Sequence, residues 1–319
     1  MTRRRHFTGE GAAYYHLASH LRAGLTPFTS EEKIEFENIL EQVADFSGIN
    51  VVTHAILDED FHLLVEVPPI DQDLSDEVIL KRFTQLYPHP TPWNPVRPDE
   101  LAEYLKNGSA EGISIREKLL RRMNNQSWFM KMLKQRFSLW VNRSREQFGA
   151  IWSDRYESLM VQGDPWPLQV VAAYIDLSPV RAGIVDDPAD YPFCGYGKAV
   201  AGNERALDGL SRMGDDLDQY EELLRGPEIE DSSDELIMDH ETLVELLANE
   251  EVQMPLHAVL RCHIRYFSDG FILGYPDFVD EQLRGDSAGR VRKRKPHPMR
   301  GAPWRGLAVG TGLRKALFQ

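Results

Sequence analysis

Two β-rich runs that meet at Asp58-Glu59 constrain this chain most. Asn50 to Leu57 and Phe61 to Val67 are each of strand length, and so short a connection between them closes only as an antiparallel hairpin. Pro68-Pro69 ends the second run, because proline has no N–H to give a sheet ladder. Ahead of the hairpin, Tyr14 to Arg22 reads as a strand. Thr29-Ser30-Glu31-Glu32 then starts a helix, with acids in the first turn. Ile34, Phe36, Ile39, Leu40, Val43 and Phe46 recur at helical spacing up to Gly48, which stops the helix. The opening is therefore β-α-β-β.

Ser75 to Tyr87 reads as helix, Pro88 to Pro98 as irregular, and Leu101 to Tyr104 as a short helix. A long helix is expected broadly over Ile113 to Arg145, with Leu119, Leu120, Met123, Phe129, Met130, Leu133, Phe137, Trp140 and Val141 as its apolar stripe. Gly149 to Val161 reads as a strand pair or a strand plus turn. Leu168 to Leu177 is helical until Pro179 ends or kinks it. This order predicts an α+β fold: a ferredoxin-like, four-stranded antiparallel sheet with helices on one face. Residues 1–202 make that domain, 203–252 an acidic, partly helical connector, and 253–319 a small helical segment with a basic C-terminal tail. Met254 to Leu283 reads as two short helices about a turn at Asp269-Gly270, either a helix-turn-helix-like unit or a packing appendage. Lys293-Arg294-Lys295-Pro296-His297-Pro298 reads as exposed linker.

The net charge of −14 argues against a polyanion ligand only when taken as one number. Residues 203–252 carry about 17 acids against 3 bases, which accounts for nearly all of it. Arg116 to Glu146 carries about nine bases against two acids, and the chain from Arg284 onward about ten against one. Two basic patches about an acidic insert suit nucleic acid, although the same runs also serve as a solvated helix face and a tail. No apolar run approaches the roughly 20 residues of a membrane span. Two distant cysteines, Cys194 and Cys262, support neither a disulfide framework nor a zinc ribbon. The basic start Met1-Thr2-Arg3-Arg4-Arg5-His6 lacks the apolar core of a signal peptide, so a cytoplasmic, nucleoid-associated location is expected.

Asp60 and His62 lie two apart on a strand, so both point to one sheet face, where a carboxylate and an imidazole can share a divalent ion. A polar surface pair is the commoner role of such a spacing. Tyr174 sits in an apolar helical turn, where a tyrosine usually packs with its hydroxyl at the edge. Ser178 follows one turn later, as a weak oxygen donor or a cap for the turn at Pro179. His54, on the neighbouring hairpin strand, is a further histidine of unfixed register.

Several stretches together carry a resemblance. They are Tyr15-His16-Leu17-Ala18-Ser19, Phe61-His62-Leu63-Leu64-Val65-Glu66-Val67-Pro68, Phe129-Met130-Lys131-Met132-Leu133-Lys134-Gln135-Arg136-Phe137-Ser138, Trp152-Ser153-Asp154-Arg155-Tyr156-Glu157-Ser158, and above all Ala172-Ala173-Tyr174-Ile175-Asp176-Leu177-Ser178-Pro179-Val180-Arg181-Ala182-Gly183. From about Tyr14 to Gly202 the chain resembles the REP-associated tyrosine transposases, within the HUH-type single-tyrosine transposases of the insertion-sequence 200 kind. The resemblance implies Tyr174 as nucleophile, His62 as a metal ligand, Asp60 where the family has a second histidine, and Ser178 where it has an asparagine. It implies Mg²⁺ or Mn²⁺ as cofactor, with two of three ligands departing from the family pattern. It implies single-stranded or hairpin DNA as partner, cleaved and rejoined through a 5′-phosphotyrosine. A homodimer is admitted, and no membrane partner is expected. Lys131, Lys134, Arg136, Arg143, Arg145 and Arg155 are the phosphate-contact candidates. Loss of the chemistry with retention of hairpin binding is the alternative.

Overall fold

A computed structural model describes residues 11–69, 71, 73–90, 94–214, 217–226, 253–268, 270–285 and 295–311. The ordered elements begin with β1 (Ala13–His20), α1 (Ser30–Ser47), β2 (Asn50–Ile56) and β3 (Asp60–Val67), which is the expected β-α-β-β opening. The α1 boundaries follow from its caps. The Thr29 hydroxyl accepts from Glu32 N–H while the Glu32 carboxylate accepts from Thr29 N–H. At the other end Gly48 adopts φ 64°, a left-handed conformation that glycine takes without a Cβ clash.

Four helices follow: α2 (Asp76–Leu86), α3 (Pro98–Asn107), α4 (Ala110–Leu120) and α5 (Gln126–Ser144). The single helix expected over Ile113 to Arg145 is thus two. Asn124 takes φ 47°, and the Asn125 side chain accepts from the N–H groups of Ser127 and Trp128 as the N-cap of α5. Two successive asparagines give the backbone a left-handed residue and then a cap, which the apolar periodicity does not register. Next come β4 (Glu157–Val161), α6 (Pro165–Asp176), α7 (Ser178–Arg181), α8 (Gly195–Val200), α9 (Glu204–Ser211) and α10 (Leu217–Arg225). The last elements are short helices at Leu256–Leu260 and Arg265–Ser268, β5 (Gly270–Gly274), a helix at Pro276–Gly285, β6 (His297–Pro298) and β7 (Ala308–Thr311).

The architecture is α+β. One seven-stranded sheet runs β2-β3-β1-β4-β5-β7-β6. Its first four strands stand in the order of a ferredoxin-like plate, with β4 antiparallel to β1 from Tyr14↔Val161 to Ala18↔Glu157. The sheet does not stop there. β5 pairs with β4 in parallel and β7 pairs antiparallel to β5, so the C-terminal region adds three strands. The two-helix reading of Met254 to Leu283 therefore fails at Gly270-Phe271-Ile272-Leu273-Gly274. This short apolar run pairs along the β4 edge, where its backbone groups find partners. Residues 227–252 and 286–294 lie outside the described residues, and with them most of the acidic connector and part of the linker and tail.

The described chain forms two compact units. One comprises the described parts of Met1–Ser19, Val52–Val65 and Glu157–Gln319; the other comprises His20–Val51 and Glu66–Tyr156. The first is built on the sheet. Val52, Leu64, Leu159 and Val161 pack with α6, α8, α10 and the C-terminal helices in one buried cluster. Every residue of α6 from Trp166 to Asp176 is buried, so no face of that helix remains polar. The second unit packs α1 against α2 and α5. Its aromatic centre sets Phe137 against Phe36 at 4.9 Å and against Phe28 at 5.2 Å, ring centre to ring centre. Among the described residues no helix is long and apolar enough to cross a membrane.

Candidate active site around Tyr174

The sheet order sets β3 beside β1 and so brings their histidines together. His16 Nε2 and His62 Nδ1 share a hydrogen bond of 3.0 Å. On the other side of the His62 ring, Nε2 lies 3.6 Å from Asp60 Oδ1, as the two-residue spacing on one strand face requires. Tyr174 reaches the same cluster from α6, its ring edge-on to His16 with centres 6.3 Å apart. The expected residues Asp60, His62, Tyr174 and Ser178 are thus all in the sheet unit, and His16 joins them. Its place in Tyr15-His16-Leu17 was visible in the sequence, but nothing there gave the register of β1 on β3.

Arg181 is the second residue that motif reading passed over. It follows Tyr174 by seven positions, two helical turns across α6 and α7, so it returns to the same side. Its guanidinium carbon lies 3.8 Å from the Tyr174 ring centre. Nη1 donates to the Leu260 carbonyl at 3.0 Å and Nη2 to Ser178 Oγ at 2.8 Å. Ser178 Oγ in turn donates to the Tyr174 carbonyl at 3.4 Å, the usual back-bond of a helical serine. Phe267 stacks on the Tyr174 ring with centres 4.1 Å apart and planes 20° apart. No signal in the sequence joined Phe267 to a tyrosine so far ahead of it.

These neighbours set the protonation states. Burial raises the Tyr174 phenol above its usual value; Arg181 and the Ile264 backbone pull it down, while Asp60 and Glu157 push it up. His16 is held well below the usual imidazole range, first by burial and then by His62 and Arg181, so it is a neutral base at neutral pH. Burial also lowers the Arg181 guanidinium, which Tyr174, Asp60 and Cys262 partly restore. His54 acts electrostatically on Asp176.

A divalent ion fits this donor set poorly. Among the described residues no three His, Cys, Asp or Glu side chains gather as a ligand group. His62 Nδ1 is engaged with His16, and Ser178 is turned to Arg181 and to its own helix. A guanidinium already supplies positive charge beside the phenol. A metal would have to displace these partners and meet a like charge.

The phosphate-contact candidates lie in the helical unit and differ among themselves. Arg145 holds Glu32 through both of its carboxylate oxygens at 2.6 Å, and it also donates to the carbonyls of Thr26 and Pro27. Arg136 donates to the Leu86 carbonyl and lies over Tyr87. Lys134 donates to the Asp154 carbonyl, sits over Trp152, and is lowered to about 8 by burial, which Asp154 partly opposes. Lys131, Arg143 and Arg155 are exposed. Trp128 is half-buried with Lys131 4.5 Å and Arg122 5.4 Å from its ring centre, whereas the Trp152 indole is buried and donates to the Lys134 carbonyl.

Among solved structures, the chain is similar to that of a REP-associated tyrosine transposase bound to a REP hairpin. The identity is 15% and the TM-score 0.38, over 63% of this chain and 86% of that one. No protein-family model and no curated protein matches the chain.

Proposed function

We propose that this chain is a DNA strand-transfer protein of the single-tyrosine kind, acting on single-stranded or hairpin DNA. The observation that carries the reading is the meeting of Tyr174 and its neighbour Arg181 with His16, itself bonded to His62, from strands far ahead of them in the sequence. A phenol has a pKa near 10 and needs a base and a nearby cation to attack a phosphodiester. In this reading Tyr174 Oη attacks the phosphorus and the P–O3′ bond breaks. The phenol proton passes to the His16–His62 pair, which gives it up to the departing 3′-oxygen. The products are a 5′-phosphotyrosine and a free 3′-hydroxyl, and the reverse attack rejoins the strands. Of the six candidate bases, Lys131, Arg143 and Arg155 are exposed and would hold the DNA backbone.

The test is a covalent-adduct assay on a hairpin oligonucleotide. Wild type forms an adduct that survives denaturation, and Tyr174→Phe forms none. The burial of Tyr174 beneath Phe267 favours a second reading, a DNA-hairpin-binding protein without strand transfer. A salt-sensitive complex that never becomes covalent selects that reading.

A further inference from the structure

We infer that Arg181 is the phosphate-binding cation of the Tyr174 site and stands where a divalent metal would otherwise be required. The inference deepens the strand-transfer reading and rests on it for its substrate, a phosphodiester. The geometry, however, is independent of that reading. A guanidinium has five N–H donors in a planar fork. Leu260 takes one and Ser178 takes one, which fixes the plane of the group and leaves three donors for an anion. Arg181 is half-buried as a residue, and its guanidinium lies against the ring of the buried Tyr174, so a phosphate held by the fork stands beside the phenol. Bidentate recognition of a phosphate needs a fork held in this way.

The hydrogen-bond partners of Arg181 hold its fork in place beside the phenol. His16 is neutral and buried, and its Nε2 shares a hydrogen bond with His62 Nδ1. The His16 Nε2–His62 Nδ1 contact engages one nitrogen of each ring. Ser178 Oγ accepts from Arg181 and is thereby part of the guanidinium's support. Each of the two departures from the family ligand pattern now has a partner in this chain. Asp60 faces His62 and acts electrostatically on Arg181, and Ser178 braces the Arg181 fork.

Three probes on the full chain test this. Inorganic phosphate is titrated in EDTA while the guanidinium ¹⁵N resonances are followed, with the Arg181 signals assigned by their loss in Arg181→Lys. Phosphate shifts the Arg181 signals in wild type, and Arg181→Lys binds at least about tenfold more weakly because it keeps the charge but not the fork. Arg181→Lys also controls for misfolding, since its melting temperature is compared alongside. Mn²⁺ is titrated separately, and no stoichiometric binding dependent on His62 is expected. Unmoved Arg181 resonances overturn the inference, as does one Mn²⁺ per chain that is lost in His62→Ala. The oligonucleotide adduct, where formed, persists in EDTA; an adduct that requires Mg²⁺ or Mn²⁺ also overturns it. Phosphate binding without any adduct leaves Arg181 as assigned and defeats the strand-transfer reading instead.

Discussion

Arg145 and Lys131 lie on one basic helix run, yet they have unrelated tasks. Glu32 is buried, and burial alone would raise its carboxyl; the hydrogen bonds from Arg145 and Thr29 more than offset this and hold it below the usual value. Removing one partner of a buried ion pair leaves the other charge stranded, at a cost of about 3 kcal/mol or more. Arg145→Ala should therefore lower the unfolding free energy by about 3 kcal/mol. Lys131→Ala should change it by no more than about 0.5 kcal/mol, as exposed substitutions do. Chemical denaturation of both variants checks this, and equal effects would show that Arg145 is not the anchor of the α1 N-terminus. Charge counting along the sequence treats these two bases alike. Only the fold separates a cation that closes a capping box from one that faces solvent, because Glu32 lies 113 positions from Arg145.

The sheet opening was legible because each part carries its own local signal: the Thr29 capping box, Gly48, and the hairpin at Asp58-Glu59. β5 was not, since three apolar residues between glycines are compatible with helix or strand until the β4 edge selects one. The site divides in the same way. His62, Asp60 and Tyr174 sit in recognisable runs, whereas Phe267 and the Leu260 carbonyl arrive from a segment whose packing no motif announces. That segment, Leu256 to Ser268, covers the tyrosine, so Phe267→Ala should expose the ring and bring its phenol down toward the ordinary value. Ultraviolet titration of this variant against Tyr174→Phe in the same background reads the shift. An unchanged titration would mean that Phe267 does not shield the phenol. A second set of elements is tied through Asp176, the last residue of α6. Its buried carboxylate accepts from Thr53 of β2, from the Tyr196 N–H of α8 and, through a short bond, from Tyr220 of α10. Burial raises Asp176 to about 6, although these hydrogen bonds pull the other way. A folded-state value above the unfolded one favours the protonated form. The contribution is complete below about pH 4 and is lost as the pH rises through about 6, on the order of 3 kcal/mol. Denaturation of wild type between pH 4 and 7 should show this loss, and Asp176→Asn, which cannot ionise, should lack that part of the slope.

Across the whole chain, 50 acidic residues outnumber 36 basic ones, and a ligand as anionic as DNA meets net repulsion at long range. Binding must then rest on local basic groups, and its salt dependence counts them. Of the six basic residues singled out for phosphate contact, Arg136 and Arg145 are held by protein carbonyls or a carboxylate, and Lys134 is largely withdrawn. Lys131, Arg143 and Arg155 remain exposed. Each phosphate neutralised releases about 0.7 of a counterion from a single strand and about 0.9 from a duplex. These three contacts therefore contribute about −2 to the slope of log affinity against log salt for single-stranded DNA and about −3 for a hairpin stem, with Arg181 adding about one more. Replacing Lys131, Arg143 and Arg155 one at a time with alanine should reduce the magnitude of that slope by about 1 each on a stem and weaken binding equally across sequences. Replacing Arg136 should leave the slope unchanged. Fluorescence anisotropy of a labelled hairpin between low and physiological salt makes the measurement. A slope near zero, or one that survives the triple substitution undiminished, would place the DNA on groups other than these three, and with it the electrostatic basis of recognition.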